Sequence, residues 1–212
     1  MKIAIFGATG IVGSAITKEA LAQGYEVTVL TRDAKRVTET SDKLTVIEGS
    51  VTNKATVRKV LEGQDAVIQS LGIGGKGNGK PTTFVSEANK LIMDEMKRMN
   101  IRRFIAISVI GAGNSLYFLP WIYRKMMPIM MQWFKAIIND KNRMEPMIEH
   151  SGLVWTIVRC TTVKNTPSKG HITASLDGKG IKFSIAAPDM AKFVVAQLAD
   201  SAFMYKTPVI SN

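Results

Sequence analysis

Cysteine, histidine and acidic residues are all scarce in this sequence, and each shortage removes a class of chemistry. The one cysteine, Cys160, leaves no partner for an intramolecular disulfide and no means of assembling a cysteine-based zinc cluster. With two histidines, His150 and His171, a metal site is not expected. Only 17 Asp and Glu stand against 28 Lys and Arg, a formal charge of +11 that favours anionic partners. Nucleic acid is not expected among them, because the basic residues are scattered and no zinc-finger spacing or RNA-recognition signature is present. Uninterrupted apolar runs are missing too. The most apolar stretch, 116 to 138, is broken by Pro120, Arg124, Lys125, Pro128 and Lys135, whereas a spanning helix needs about 20 mainly apolar residues. No basic region with a hydrophobic signal segment precedes the first strand-like run, so the expected location is the cytoplasm.

What the sequence does contain is an alternation of short β-rich runs and helical stretches over 212 residues, 46% of them hydrophobic. Strands are predicted at 2 to 6, 26 to 30, 44 to 48, 65 to 70, 103 to 108 and 154 to 159, with Pro208-Val209-Ile210 as a last one. Most are continuous apolar runs, which suit a sheet covered on both faces. Helices are predicted at 11 to 23, 54 to 62, 84 to 99, 139 to 151 and from Asp189 to Leu198. This pattern predicts an α/β fold, a Rossmann-like doubly wound parallel sheet in one domain spanning 1 to 212. Two segments break the alternation: the glycine-rich stretch from Gly72 to Lys80, and residues 110 to 138, whose aromatic and Met-rich part reads as a lid on the substrate side.

Gly7-Ala8-Thr9-Gly10-Ile11-Val12-Gly13 follows the first strand and opens the first helix. In that context the first glycine permits the tight turn, the second lets a pyrophosphate approach the backbone, and the third lets helix lie close on strand. The free amides at the helix start then face the phosphates. At the end of the second strand, where an NAD site places Asp or Glu on the ribose 2′-hydroxyl, this chain has Thr31-Arg32, with Arg36 a turn further on. A guanidinium there pairs with a 2′-phosphate in a fork, so the expected cofactor is NADP, with NADPH preferred over NADH. Gly74 to Lys80 matches the start of a phosphate-loop pattern, but Pro81 replaces the Ser or Thr that binds Mg²⁺, which argues against ATP hydrolysis. None of Tyr25, Tyr117, Tyr123 and Tyr205 has Lys four residues later, so the Tyr-x-x-x-Lys proton donor of ordinary short-chain dehydrogenases is missing.

GATGIVG, GYEVTVLTRD, GQDAVIQSLG, and SGLVWTIVR followed by SLDGKG together resemble the atypical short-chain dehydrogenases of the NmrA-like group, nearest its biliverdin- and flavin-reducing branch. The resemblance implies adenine near Ser50 and Val51, and the nicotinamide ribose near Ser70, Leu71 and Gly72. It implies the nicotinamide between Ser108 and the loop Cys160-Thr161-Thr162. It also places Lys141 on the preceding helix, with Glu145 as the i+4 residue expected to orient it, and Ser108 and Lys141 as the candidate catalytic pair. Departures are Ser50 for a common Asp, Cys160 for a common Pro, Val109 where many relatives carry the catalytic hydroxyl, and Pro146 inside the helix, expected to bend it. Alcohol and ketone interconversion needs a positioned proton donor. A conjugated, planar, anionic acceptor such as a flavin, quinone or bilin does not. The alternative the resemblance permits is a non-catalytic NAD(P)-binding redox sensor that presents 116 to 138 to a protein partner.

Overall fold

The structure is a computed structural model that describes residues 1–73, 80–118 and 132–212, without the side chains of 132 and 133. Most of the glycine-rich stretch and residues 119–131 of the expected lid lie outside the described residues. The elements run β1 (Lys2–Phe6), α1 (Ile11–Ala22), β2 (Glu26–Thr31), β3 (Leu44–Glu48), α2 (Lys54–Leu61), β4 (Ala66–Gln69), α3 (Phe84–Arg98), β5 (Arg103–Val109), α4 (Gln132–Glu149) and β6 (Val154–Cys160), then β7 (Thr162–Lys164), β8 (Thr173–Ser175), β9 (Ser184–Ala186), α5 (Ala187–Ala196) and β10 (Val209–Ser211). Eight strands form one sheet in the order β3-β2-β1-β4-β5-β6-β10-β8, and β7 pairs with β9 in a small second sheet. Every pairing in the large sheet is parallel except β10 with β8. The order reverses between β1 and β4, which opens a crevice at the carboxyl ends of the strands.

Strand alternation divides the core in two. Ala4, Phe6, Val67, Phe104, Ala106 and Ile157 face a cluster completed by Val57 and Leu61 of α2, Ile92 and Met96 of α3, and Met144 and Ile148 of α4. Ile3, Ile5, Ile68, Ile105, Ile107 and Val158 face the opposite cluster, with Ile16 and Ala20 of α1 and Met190 and Val194 of α5. Period-two side-chain direction thus supplies both faces from the same apolar runs. Burying each of the large side chains is worth about 1.5–3 kcal/mol relative to exposure.

Helix ends fix the parts that matter for the crevice. After α1, Gly24 turns the chain at φ +84, and Tyr25 N–H donates to Ala20 O at 3.1 Å, so β2 starts directly beneath the helix. The start of α3 is capped from outside: the carboxylate of Asp140, buried on α4, accepts from Val85 N at 2.8 Å and Ser86 N at 3.1 Å. That anchor sets the rotation of α4 and turns the next residue, Lys141, toward the sheet. Helix α4 is already present at Gln132, seven residues before the expected start at 139, and continues through Pro146 to Glu149. Among the described residues no helix is long and apolar enough to cross a membrane, and no group of three or more His, Cys, Asp or Glu gathers as a metal site.

Candidate functional site

The glycine turn is dictated by sterics at two of its three glycines. Gly7 has φ +90, and a Cβ there would lie 2.7 Å from the carbonyl carbon and oxygen of Ser70, so only glycine lets the ends of β1 and β4 come this close. A Cβ on Gly13 would collide with the Gly7 carbonyl, which measures how tightly α1 lies against the turn. Gly10 is different. It has φ −84, and its nearest atom to an added Cβ is Gly7 O at 3.8 Å, so its missing side chain leaves open space at the helix start. No side chain caps α1 and no acid belongs to its own first turn, so its leading amides are not taken by a capping side chain. A pyrophosphate fits that cradle. Ala8 is buried and offers backbone only, Thr9 is half-buried, Ile11 is 58% exposed at the rim, and Val12 faces the next compartment.

Beyond the turn, Thr31 is buried and its hydroxyl is committed locally, donating to Asp33 O at 2.9 Å and accepting from Asp33 N at 3.2 Å. It shapes the bend that presents Arg32. Arg32 and Arg36 are exposed, and neither guanidinium has an ion pair or hydrogen bond among the described residues. The turn bearing them is held from the edge strand, where Glu48 accepts from Ala34 N at 3.2 Å, and Glu39 accepts from Ser14 Oγ on α1 at 2.7 Å. Sequence reading missed both, because they are long-range contacts from a β3 end and a loop. At the far end of the crevice, Val51 is buried in the core, and the Ser50 hydroxyl is engaged with Thr52 at 2.8 Å.

The opposite arm of the crevice holds a cavity of about 230 Å³. Ser70, Leu71, Gly72, Ser108 and Lys141 line it together, joined by Val12, Ile73, Ile107, Val109 and Ile137. Cys160, Thr161 and Thr162 do not line it. Cys160 Sγ bonds Ser108 O at 3.2 Å, Thr161 Oγ1 donates to Ile210 O at 3.2 Å, and Thr162 N–H pairs with Phe183 O at 3.1 Å. Burial pushes the Cys160 thiol up to about 11, so it is an inert thiol and not a nucleophile. A larger depression of about 440 Å³ lies at the other end of the strands, beside Gln64, Arg103 and Leu198. There the Arg103 guanidinium is used up on Gln197 O, Val154 O and Thr156 Oγ1, and the amino ends of parallel strands are not where such sheets bind ligands.

Lys141 corrects an expectation. Its Nζ does not pair with Glu145; it donates to Ile107 O at 2.7 Å and, more weakly, to Leu71 O at 3.4 Å, with Met144 Sδ at 3.8 Å. Glu145 is taken instead by Arg159 of β6, Nε to Oε1 at 3.1 Å and Nη2 to Oε2 at 2.7 Å, both side chains being buried. Arg159 also donates to Asn114 Oδ1 at 2.6 Å. Without a carboxylate bond, Lys141 is held down to about 8 by desolvation, partly offset by the nearby charges of Asp140 and Glu145.

A family model described as NAD(P)H-binding matches residues 7–201. The chain belongs to that NAD(P)H-binding family. YhfK of Bacillus subtilis, named as an uncharacterized sugar epimerase, is 23% identical over 93% of this chain and 88% of its own length. A short-chain dehydrogenase/reductase of Veillonella parvula, solved in complex with NADP, superposes with a TM-score of 0.81 at 20% identity, covering 100% of this chain and 94% of that one. ChuY of Escherichia coli O157:H7, described as an anaerobillin reductase, has a TM-score of 0.81 at 19% identity, over 100% of this chain and 97% of its own. At these identities the structural likeness establishes the fold.

Within an NAD(P)H-binding protein, Ile137 is the informative residue that sequence reading passed over. It lies four residues before Lys141, hence one turn away on the same face of α4, and both line the cavity. The place that a Tyr-x-x-x-Lys pair would give to its phenol is filled by hydrocarbon. Reading the motif backward from Lys141, rather than forward from each tyrosine, would have found it.

Proposed function

We propose that the protein is an NAD(P)H-dependent reductase that passes a hydride from NADPH to a conjugated planar acceptor of the flavin, quinone or bilin type. The observation that carries this reading is the wall of the 230 Å³ cavity, where Ile137 and Val109 stand at positions suited to a proton-donating hydroxyl. When bound, the dihydronicotinamide supplies the hydride. The apolar wall then has two tasks, holding a flat acceptor in register and excluding water. Conjugated acceptors spread the negative charge they receive, so they need no phenol beside them. Lys141 serves this chemistry as a buried cation that stabilises the charge developing on the acceptor, a preorganised electrostatic effect. Ser108 and Ser70 supply the polar edge of the same cavity.

Cofactor binding is assigned along the crevice: Gly7 to Gly13 at the pyrophosphate, Thr31, Arg32 and Arg36 around the 2′-phosphate, Ser50 and Val51 at the adenine, and Ser70 to Gly72 at the nicotinamide ribose. Cys160 to Thr162 form the backing of the nicotinamide end, through backbone rather than side chains. The NADP-bound and reductase-named neighbours of this fold support the assignment. The test is steady-state oxidation of NADPH, followed without oxygen, against FMN, a naphthoquinone, a linear tetrapyrrole and a sugar-nucleotide ketone. Turnover with at least one conjugated acceptor and none with the ketone is expected. Turnover of the ketone alone contradicts the proposal, as does tight dinucleotide binding without any turnover, which identifies a sensor.

A further inference from the structure

Several buried polar atoms lack hydrogen-bond partners among the described residues, and three of them belong to Gln69 and Ser108, on the two strands whose ends supply the carbonyls that Lys141 bonds. Gln69, at the end of β4, is fully buried, and neither its Nε2 nor its Oε1 is satisfied. Ser108, near the end of β5, is fully buried with an unsatisfied Oγ. Gln69 stands opposite Ala106 in the parallel register, and Ser108 lies two residues farther along the same face. Lys141 Nζ enters between those two strands. The β5 carbonyl it bonds belongs to Ile107, next to Ser108, and the carbonyl on the β4 side belongs to Leu71, two residues after Gln69. Its third hydrogen meets only the thioether of Met144 at 3.8 Å.

An amide buried with both ends unsatisfied is costly, and leucine would fill much the same volume without that cost. The surrounding strand positions on this face, Phe6, Val67 and Ala106, are apolar. Water matches what these groups need: it accepts from the Gln69 Nε2 or the ammonium, and donates to the Gln69 Oε1 and the Ser108 hydroxyl. We propose that Gln69, Ser108 and Lys141 together hold a buried water, and that Gln69 is a positioning residue which keeps Lys141 cationic at the acceptor cavity. The site rests on the cavity identified under the proposed function. The burial that depresses the lysine is opposed by a solvent oxygen accepting from it. The other titratable groups acting on Lys141 are already committed. Asp140 caps α3, Glu145 is bound to Arg159 of β6, and Cys160 of β6 is a neutral thiol at physiological pH.

The experiment is an NMR titration of the Lys141 side chain in ¹³C-lysine-labelled protein, assigned with Lys141→Arg, and compared with Gln69→Leu and Ser108→Ala. Gln69→Leu is expected to melt no lower than the parent while the Lys141 midpoint falls by about one pH unit, a tenfold change in its protonation equilibrium. The alkaline limb of the turnover profile should fall by the same amount. Ser108→Ala gives a smaller shift in the same direction and carries the test should Gln69→Leu fail to fold. An unchanged Lys141 midpoint in both variants overturns the proposal. The titration needs no acceptor, so it separates failure of this site from failure of the reductase reading, which shows as absent turnover in the parent protein.

Discussion

Two buried cations stand on neighbouring strands and helix turns at the same end of this sheet, and they have been treated in opposite ways. Arg159 has a bidentate carboxylate partner, a third bond to Asn114, and a glycine, Gly113, at φ +55 where any Cβ would strike the ion pair. Lys141, one helical turn from Glu145, has carbonyl oxygens and no carboxylate bond. The arginine therefore fastens the segment after β5 to α4 and β6, helped by Gly113 N–H donating to Asn142 Oδ1 at 2.7 Å. Among the described residues the lysine has no carboxylate bonded to it, and it lines the cavity. The difference is that between a structural charge and the ligand-facing charge proposed for Lys141.

Breaking the paired side should have the largest effect. Glu145→Gln leaves a buried guanidinium without its counter-charge and is expected to cost about 3–5 kcal/mol in a denaturant melt, whereas replacing both partners by Leu and Met should recover most of the loss. The unpaired side should answer in the other direction. The lysine's folded value of about 8 lies below its ordinary 10.5, so the burial penalty is fully present below pH 8. It is relieved as pH rises from 8 toward 10.5, while the unfolded chain still holds the proton. Lys141→Met should therefore gain on the order of 3 kcal/mol at neutral pH, less the loss of the Ile107 bond, and the gain should vanish above pH 10.5. The same variant should lose turnover, and the parent's turnover should decline above pH 8 as the ammonium is lost.

Arg32→Ala carries the comparison to an exposed cation without a partner among the described residues. It should weaken NADPH by about 1.5–3 kcal/mol and leave NADH nearly unchanged, measured by fluorescence titration of both dinucleotides. Equal losses remove the 2′-phosphate assignment. Smallest is Gly113→Ala, which crowds the ion pair at a left-handed position and should cost about 1–3 kcal/mol without changing cofactor affinity.

The order of these effects could not have been read from the sequence, although the frame could. The six main strands were placed within about a residue of their observed bounds, the inner ones because parallel strands buried on both faces appear as continuous apolar runs, whereas β3 is a mostly exposed edge strand. Gly7 and Gly13 were legible because a backbone collision admits only one residue type there. The short β7, β8 and β9 were not, since three-residue strands are defined by their pairing partners and not by their own pattern. The α4 start was misplaced because the residues before 139 lack a capping signal and read as loop. Glu145 was assigned to Lys141 by helix spacing, but Arg159, fourteen residues away on β6, holds it with two bonds in a fork that lysine does not have. Gln69 carried no signal at all, as an orphaned amide shows only once its neighbours are in place.

The central claim is hydride transfer from NADPH bound over the glycine turn to an acceptor in the cavity bounded by Ile137 and Lys141. Its most direct test is a single-turnover reaction of protein, acceptor and NADPH deuterated in turn at each face of the nicotinamide C4. The account predicts that nicotinamide absorbance decays, and that deuterium slows the decay from one face only. Decay insensitive to deuterium at both faces, or no decay with any conjugated acceptor, would contradict it.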